Sequence, residues 1–331
     1  MAFHFSFLIS LFSFLISHFS FLAEVIMKIV VTGGAGFIGS HVVDAYVAAG
    51  HEVIIIDSLW EEGGGRLKNV NPQARFYQLD IRSDEAAELI RREKPEVLNH
   101  HAAQHSVKIS TDKPKLDADV NVVGLINLLE ACVDAGTRKV IFAGSGASYG
   151  TAEHLPIDEQ TPQRPQSPYG ITKMVTEHYL RYYQQTKGLG YTIFRYGNVY
   201  GPRQDPNGEA GVIAIFANRI LKRMDVRIDW DGEQQKDYIY VGDVAAANAL
   251  ALSAGDNDVF CIASGGGTSV NELYRQLCDL IGFVAPVVKA PMRPGDIYLS
   301  YFDCTKAQRV LGWRPQTELR AGLQAVVDAL R

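Results

Sequence analysis

Tyr169-Gly170-Ile171-Thr172-Lys173 spaces a phenol and an amine four residues apart. On a helix, positions i and i+4 share a face, so Lys173 stands one turn from Tyr169. A phenol titrates at about 10 in water, too high for a base at neutral pH. A neighbouring ammonium favours the phenolate and lowers that value. Upstream, Ala143-Gly144-Ser145 ends an apolar run, and Ser145 there can hydrogen-bond the same substrate hydroxyl. Ser145, Tyr169 and Lys173 are the candidate catalytic residues, with Tyr169 taking a proton from an alcohol. A Y-x-x-x-K alone is a frequent chance pattern. Its weight comes from what precedes it.

Thr32-Gly33-Gly34-Ala35-Gly36-Phe37-Ile38-Gly39 lies between an apolar run and an amphipathic stretch, with Gly33, Gly36 and Gly39 three apart. Small residues let the backbone turn tightly and approach a pyrophosphate, whose charge is stabilised at a helix N-terminus. Gly33, Gly36, Phe37, Ile38 and Gly39 are therefore candidate cofactor contacts. Asp57 ends the next apolar run, at the spacing where a carboxylate binds both ribose hydroxyls of NAD and repels the 2′-phosphate of NADP. Glycine loop, acidic strand end, serine and then Y-x-x-x-K predict NAD-linked oxidation of an alcohol. The positive nicotinamide ring would further favour the Tyr169 phenolate.

These residues need rigid elements to hold them. Near-continuous apolar runs at Lys28–Thr32, Glu52–Asp57, Arg75–Asp80, Glu96–Asn99, Lys139–Ala143 and Tyr191–Tyr196 read as strands covered on both faces. Phe37–Ala49, Ser83–Glu93, Leu116–Ala135 and Pro168–Lys187 read as helices. The alternation predicts an α/β fold, a Rossmann-type doubly wound parallel sheet. Beyond Tyr200 the pattern loosens, with one helix expected to end by Met224. The expected division is an NAD-binding domain over 27–200 and a smaller substrate-binding region over 201–331, interleaved with it.

The bulk numbers narrow the class. Hydrophobic residues make up 47% and charged residues 21% of 331, with a net charge of -5. That is ordinary globular composition, and it lacks the basic field a nucleic-acid partner requires. Cys132, Cys261, Cys278 and Cys304 lie far apart, which argues against a disulfide framework and suits a reducing cytoplasm. His100, His101 and His105 crowd one segment, but no carboxylate or cysteine completes a metal set, so no metal is expected.

Three seven-residue units, FSFLISL, FSFLISH and FSFLAEV, run from Phe5 to Val25. They are long enough to span a bilayer, yet they lack the basic segment and cleavage site of a signal peptide. Met27 stands directly before the first strand. Residues 1–26 are expected to lie outside the fold, with membrane attachment only if that segment is used.

The motifs together resemble the extended short-chain dehydrogenases, the NAD-dependent epimerase/dehydratase family, from Met27 to Arg331. The likeness rests on TGGAGFIGSH at 32–41, Leu79-Asp80-Ile81 as an adenine-contacting segment, His101-Ala102-Ala103, and RYGNVYGPR at 195–203. Within the family the chain is most similar to the UDP-glucose 4-epimerases. That resemblance implies tightly bound NAD contacted also by Asp80 and Ile81, a UDP-hexose substrate and a transient 4-keto sugar. It implies substrate contacts at Asn198, Val212, Lys236, Tyr238, Arg293 and Asp296. Lys236 stands where the family usually has arginine, and lysine lacks the bidentate fork. Ser300 occupies a place where a bulky residue accompanies exclusion of N-acetylated sugars, so room for UDP-GlcNAc and UDP-GalNAc is expected. A homodimer follows by the same likeness, through the helices at Leu116–Ala135 and Tyr182. Dehydration is disfavoured because Gly146-Ala147 follow Ser145 where dehydratases carry acids. UDP-glucuronate 4-epimerase or decarboxylase activity stays open, as does a non-catalytic NAD-binding regulator.

Overall fold

Val30, Val31, Ile54, Ile55 and Ile56 are wholly buried, adjacent residues on opposite faces of their strands, so the sheet is covered on both sides. The computed structural model describes residues 26–60, 63–207, 211–292 and 297–331. The repeated units at 5–25, with Arg293 and Asp296, lie outside the described residues.

The chain alternates β1 (Lys28–Thr32), α1 (Phe37–Ala48), β2 (Glu52–Asp57), β3 (Arg75–Gln78), α2 (Asp84–Glu93) and β4 (Val97–His100). Then come α3 (Val107–Asp112), α4 (Pro114–Ala118), α5 (Gly124–Ala135), β5 (Lys139–Ser145), α6 (Pro168–Lys187) and β6 (Gly190–Tyr196). Beyond lie β7 (Asn198–Tyr200), α7 (Val212–Leu221), β8 (Val226–Asp229), β9 (Gln235–Lys236), β10 (Tyr238–Tyr240) and α8 (Val241–Leu250). The chain closes with β11 (Asp258–Ile262), β12 (Thr268–Ser269), α9 (Val270–Ile281), β13 (Val287–Ala290), β14 (Leu299–Ser300), α10 (Thr305–Leu311) and α11 (Leu319–Leu330).

A seven-stranded sheet runs in the order β11-β6-β5-β4-β1-β2-β3, and every neighbouring pair is parallel. The Rossmann-type expectation holds. The order reverses between β1 and β4, where Thr32 pairs with His100 at the carboxyl ends. Such a switch point opens a crevice for ligands. The far edge, β11, comes from the second half of the chain. A separate apolar cluster around Phe216, Ile228, Leu273 and Val326 supports the smaller sheets β13-β8 and β12-β9-β14.

Some element bounds differ from the sequence reading. β3 stops at Gln78 rather than Asp80, because the Asp80 carboxylate accepts from Arg82 N at 2.9 Å and turns the chain. β4 is shifted by one residue, and β5 runs on to Ser145. The helix expected over Leu116–Ala135 is α4 and α5 joined by a π-helical turn, Asp119–Val123. That turn carries the buried Asn121, a common use of π geometry near functional sites.

Candidate active site

Helix α6 is built to present its first turn. Ser167 caps it, its side chain accepting from Gly170 N at 3.1 Å, Pro168 occupies the first turn, and Gly188 ends it with φ 74°. Tyr169 and Lys173 thereby face the end of β5. Tyr169 lines the same cavity as Ser145, whose Oγ accepts from Ala147 N at 3.1 Å. Lys173 is buried; its Nζ donates to Ala143 O at 2.8 Å and lies 4.9 Å from the Phe142 ring centre and 5.8 Å from that of Tyr169.

Burial pushes the Tyr169 phenol up to about 12, against the pull of the nearby Ser145 hydroxyl, and a nearby Asp117 charge adds to the rise. Burial pulls Lys173 down to about 8, with Asp117 opposing. Desolvation is thus the largest influence on the phenol. A positive charge brought close to Tyr169 would favour the phenolate.

The glycine loop lies across the switch point. Gly33 has φ +70°, and a Cβ there would come within 2.6 Å of Ala102 N, so the β1 loop packs directly on the chain after β4. A Cβ on Gly36 would meet only Gly33 O, at 3.1 Å, and project into the cavity. Gly36 caps α1 without a side chain, and the first turn of the helix carries no acidic residue. This is a cradle that a pyrophosphate fits. The buried Asp57 accepts from Ala35 N at 3.0 Å and Leu59 N at 2.9 Å, which orients its carboxylate at the cavity wall. Burial raises its pKa, and those two bonds counter the rise.

One cavity of 1410 Å³ brings these pieces together. It exceeds a drug-sized site and suits a dinucleotide beside a second ligand. Gly33, Gly36, Phe37, Ile38, Gly39, Asp57, Asp80 and Ile81 line one part of it, and Ser145, Tyr169 and Lys173 another. Asn198, Val212, Lys236, Tyr238 and Ser300 line the rest. Asp80 spends both oxygens on Arg82, at 2.6 and 2.9 Å, which holds its carboxyl below the usual range. Lys236 donates to Ile297 O, and its strand pairs with Ser300 in β14.

Sequence reasoning missed the loop residues Gln204 and Asp205, which line the cavity beside Arg203, and the buried Asp117 behind its catalytic end. Asp117 and Asn121, four apart on a largely apolar helical stretch, were the available signal for a buried polar pair.

A parallel doubly wound sheet with a glycine cradle and a Ser, Tyr, Lys set in one cavity defines an NAD-dependent enzyme of the short-chain dehydrogenase type. The chain belongs to the NAD-dependent epimerase/dehydratase family, whose model matches residues 29–263. It is similar to UDP-glucose 4-epimerase of Thermotoga maritima, solved with UDP-glucose: 45% identity, TM-score 0.89, covering 92% of this chain and 98% of that one. It is similar to UDP-glucose 4-epimerase of Thermus thermophilus, solved with NAD: 42% identity, TM-score 0.87, covering 92% and 99%. It also resembles UDP-N-acetylglucosamine 4-epimerase of Methanobrevibacter ruminantium, solved with UDP-N-acetylmuramic acid: 33% identity, TM-score 0.87, covering 92% and 98%.

Among the described residues no helix is long and apolar enough to cross a membrane, and no cluster of His, Cys, Asp and Glu forms a metal set.

Proposed function

We propose that this protein interconverts UDP-hexoses by inversion at C4, as a UDP-glucose 4-epimerase. The observation that carries the reading is that Ser145, Tyr169 and Lys173, the last two one turn apart on α6, share one cavity with the glycine cradle. Tyr169 Oη takes the proton of the sugar 4-hydroxyl and later returns it. Ser145 orients that hydroxyl, and Lys173 stabilises the phenolate from its seat on Ala143 O. NAD, when bound, supplies the hydrogen acceptor and donor for C4 and, oxidised, a positive ring that favours the phenolate. Gly33, Gly36, Phe37, Ile38 and Gly39 would hold its pyrophosphate, Asp57 a ribose, and Asp80 and Ile81 its adenine end.

The sugar nucleotide would take Asn198, Val212, Lys236, Tyr238, Arg293 and Asp296, with residues 27–200 binding NAD and 201–331 the substrate. Ser300 leaves room for an N-acetyl group, supported by its small side chain at the cavity wall. We place the enzyme in the cytoplasm, as four free, buried cysteines suit. A homodimer would form through α6 and its neighbours: Ile171 and Tyr182, eleven residues apart on one face, are 46% and 55% exposed, beside Val107 and Val123. The test is incubation with UDP-galactose, without added NAD, followed by NMR of the anomeric protons. UDP-glucose should appear; none, even with NAD added, would move uronic-acid sugars to the front.

A further inference from the structure

Asp117 is wholly buried on α4, yet only neutral groups bond it. Its Oδ1 accepts from Gln104 Nε2 at 2.8 Å and Asn121 Nδ2 at 3.0 Å, and its Oδ2 from Thr172 Oγ1 at 2.8 Å. Asn121 is tied further to Gln104 through both backbone groups, at 2.8 and 3.0 Å, so the π-helical turn clamps the site. A carboxylate without a counter-charge is costly to bury. Burial raises the Asp117 carboxyl, countered by its bonds to Thr172 and Gln104 and by the charge of Lys173, the residue after Thr172 on α6.

Lys173 has the complementary problem. Its ammonium rests on the Ala143 carbonyl and the Phe142 ring, neither of which carries a charge. We infer that Asp117 is a positioning residue whose negative charge keeps Lys173 protonated at neutral pH, an inference that rests on the reading of Tyr169 as base.

The surroundings leave few competitors. Burial lowers Lys173 to about 8, and Asp117 is the one charged neighbour that raises it. His100 and His101, at the end of β4, face the same ammonium but are held near 3 by burial, so they stay neutral. Tyr169, on the same helix, is also neutral near pH 7 in the absence of other charges. From β5 come only the Ala143 carbonyl and the Phe142 ring. Asp117 also pushes Tyr169 upward directly. Its two influences therefore act on opposite limbs of a pH–rate profile.

Asp117→Asn removes the charge and keeps the shape. The amide oxygen accepts from Gln104 and Asn121, while the amide nitrogen donates to Thr172 Oγ1, whose proton turns to Tyr169 O at 3.0 Å. The measurement is the Lys173 titration by ¹³C NMR of ε-¹³C-lysine-labelled, NAD-loaded protein, assigned with Lys173→Met. The midpoint should fall by about 1–3 units in Asp117→Asn, the range for losing a nearby opposite charge. The basic limb of kcat should move down with it while KM barely changes. Thr172→Val, which keeps the charge and deletes one bond, should leave the midpoint in place. Asp117→Ser reads the same charge loss if the isostere does not fold. An unchanged midpoint, equal shifts from both Asp117→Asn and Thr172→Val, or movement of the acid limb alone would overturn the inference. An active Tyr169→Phe would instead sink the reading of the base and leave the lysine titration standing.

Discussion

Lys173 Nζ donates to Ala143 O at 2.8 Å, tying α6 to β5 two residues before Ser145. The bond makes one rigid unit of three side chains that the sequence keeps well apart. It also spends one of the ammonium's three donors on protein, fixing the direction of the other two.

If that unit is the reacting centre, Tyr169→Phe should lower kcat by about 10²–10⁴-fold, the usual contribution of a positioned base. NAD content per chain, read by absorbance after denaturation, should be unchanged. Substantial turnover by this variant would remove Tyr169 from the mechanism.

Gly33→Ala tests the cradle. The left-handed φ costs a side chain about 1–3 kcal/mol, and the added Cβ would lie 2.6 Å from Ala102 N. Both the melting temperature and the retained NAD should drop. A variant that keeps its NAD would mean that the pyrophosphate does not approach this loop.

Ser300→Tyr should reduce kcat/KM for UDP-GlcNAc by roughly 10-fold or more relative to UDP-glucose, by filling space in the pocket. An unaltered preference would show that Ser300 does not face the sugar.

Glu177 and Arg195 form a buried bidentate pair at 2.6 and 2.9 Å, and Arg195 also donates to Tyr149 OH at 2.7 Å. Glu177→Gln strands a buried guanidinium, at a cost of about 3–5 kcal/mol. Urea unfolding checks this, and a loss below about 1 kcal/mol would mean that the pair is hydrated or replaceable.

His100 is held neutral near 3 by burial and by Lys173, and its Nδ1 lies 2.8 Å from Thr32 Oγ1. Its unfolded value is about 6.5, so between pH 6.5 and 3 the unfolded chain binds a proton that the folded chain does not. Stability present above pH 6.5 should be lost as pH falls through that window. His100→Gln should show a shallower fall in urea midpoints between pH 7 and 4.5; an identical slope would contradict the assignment.

Much of this was legible in the chain. Buried parallel strands announce themselves because both faces are apolar, and Gly33, Asp57, Ser145 and Tyr169 sit at strand and helix ends that such runs reveal. Element ends were less legible where side chains decide them, as Asp80 does for β3 and Ser145 for β5. The π-helical turn was invisible because Leu116–Ala135 carries a continuous helical pattern. Asp117 was missed because its partners, Gln104 and Thr172, come from distant segments. The phenol's upward shift was missed because burial, unlike spacing, is a property of the fold.

The central claim is that C4 is oxidised and reduced inside one cavity. The direct measurement uses UDP-galactose deuterated at C4, incubated with the protein in ordinary water and followed by NMR. The account predicts UDP-glucose that keeps the deuterium at C4, because the hydrogen leaves and returns without meeting solvent. UDP-glucose with ordinary hydrogen at C4, or no conversion at all, would contradict it.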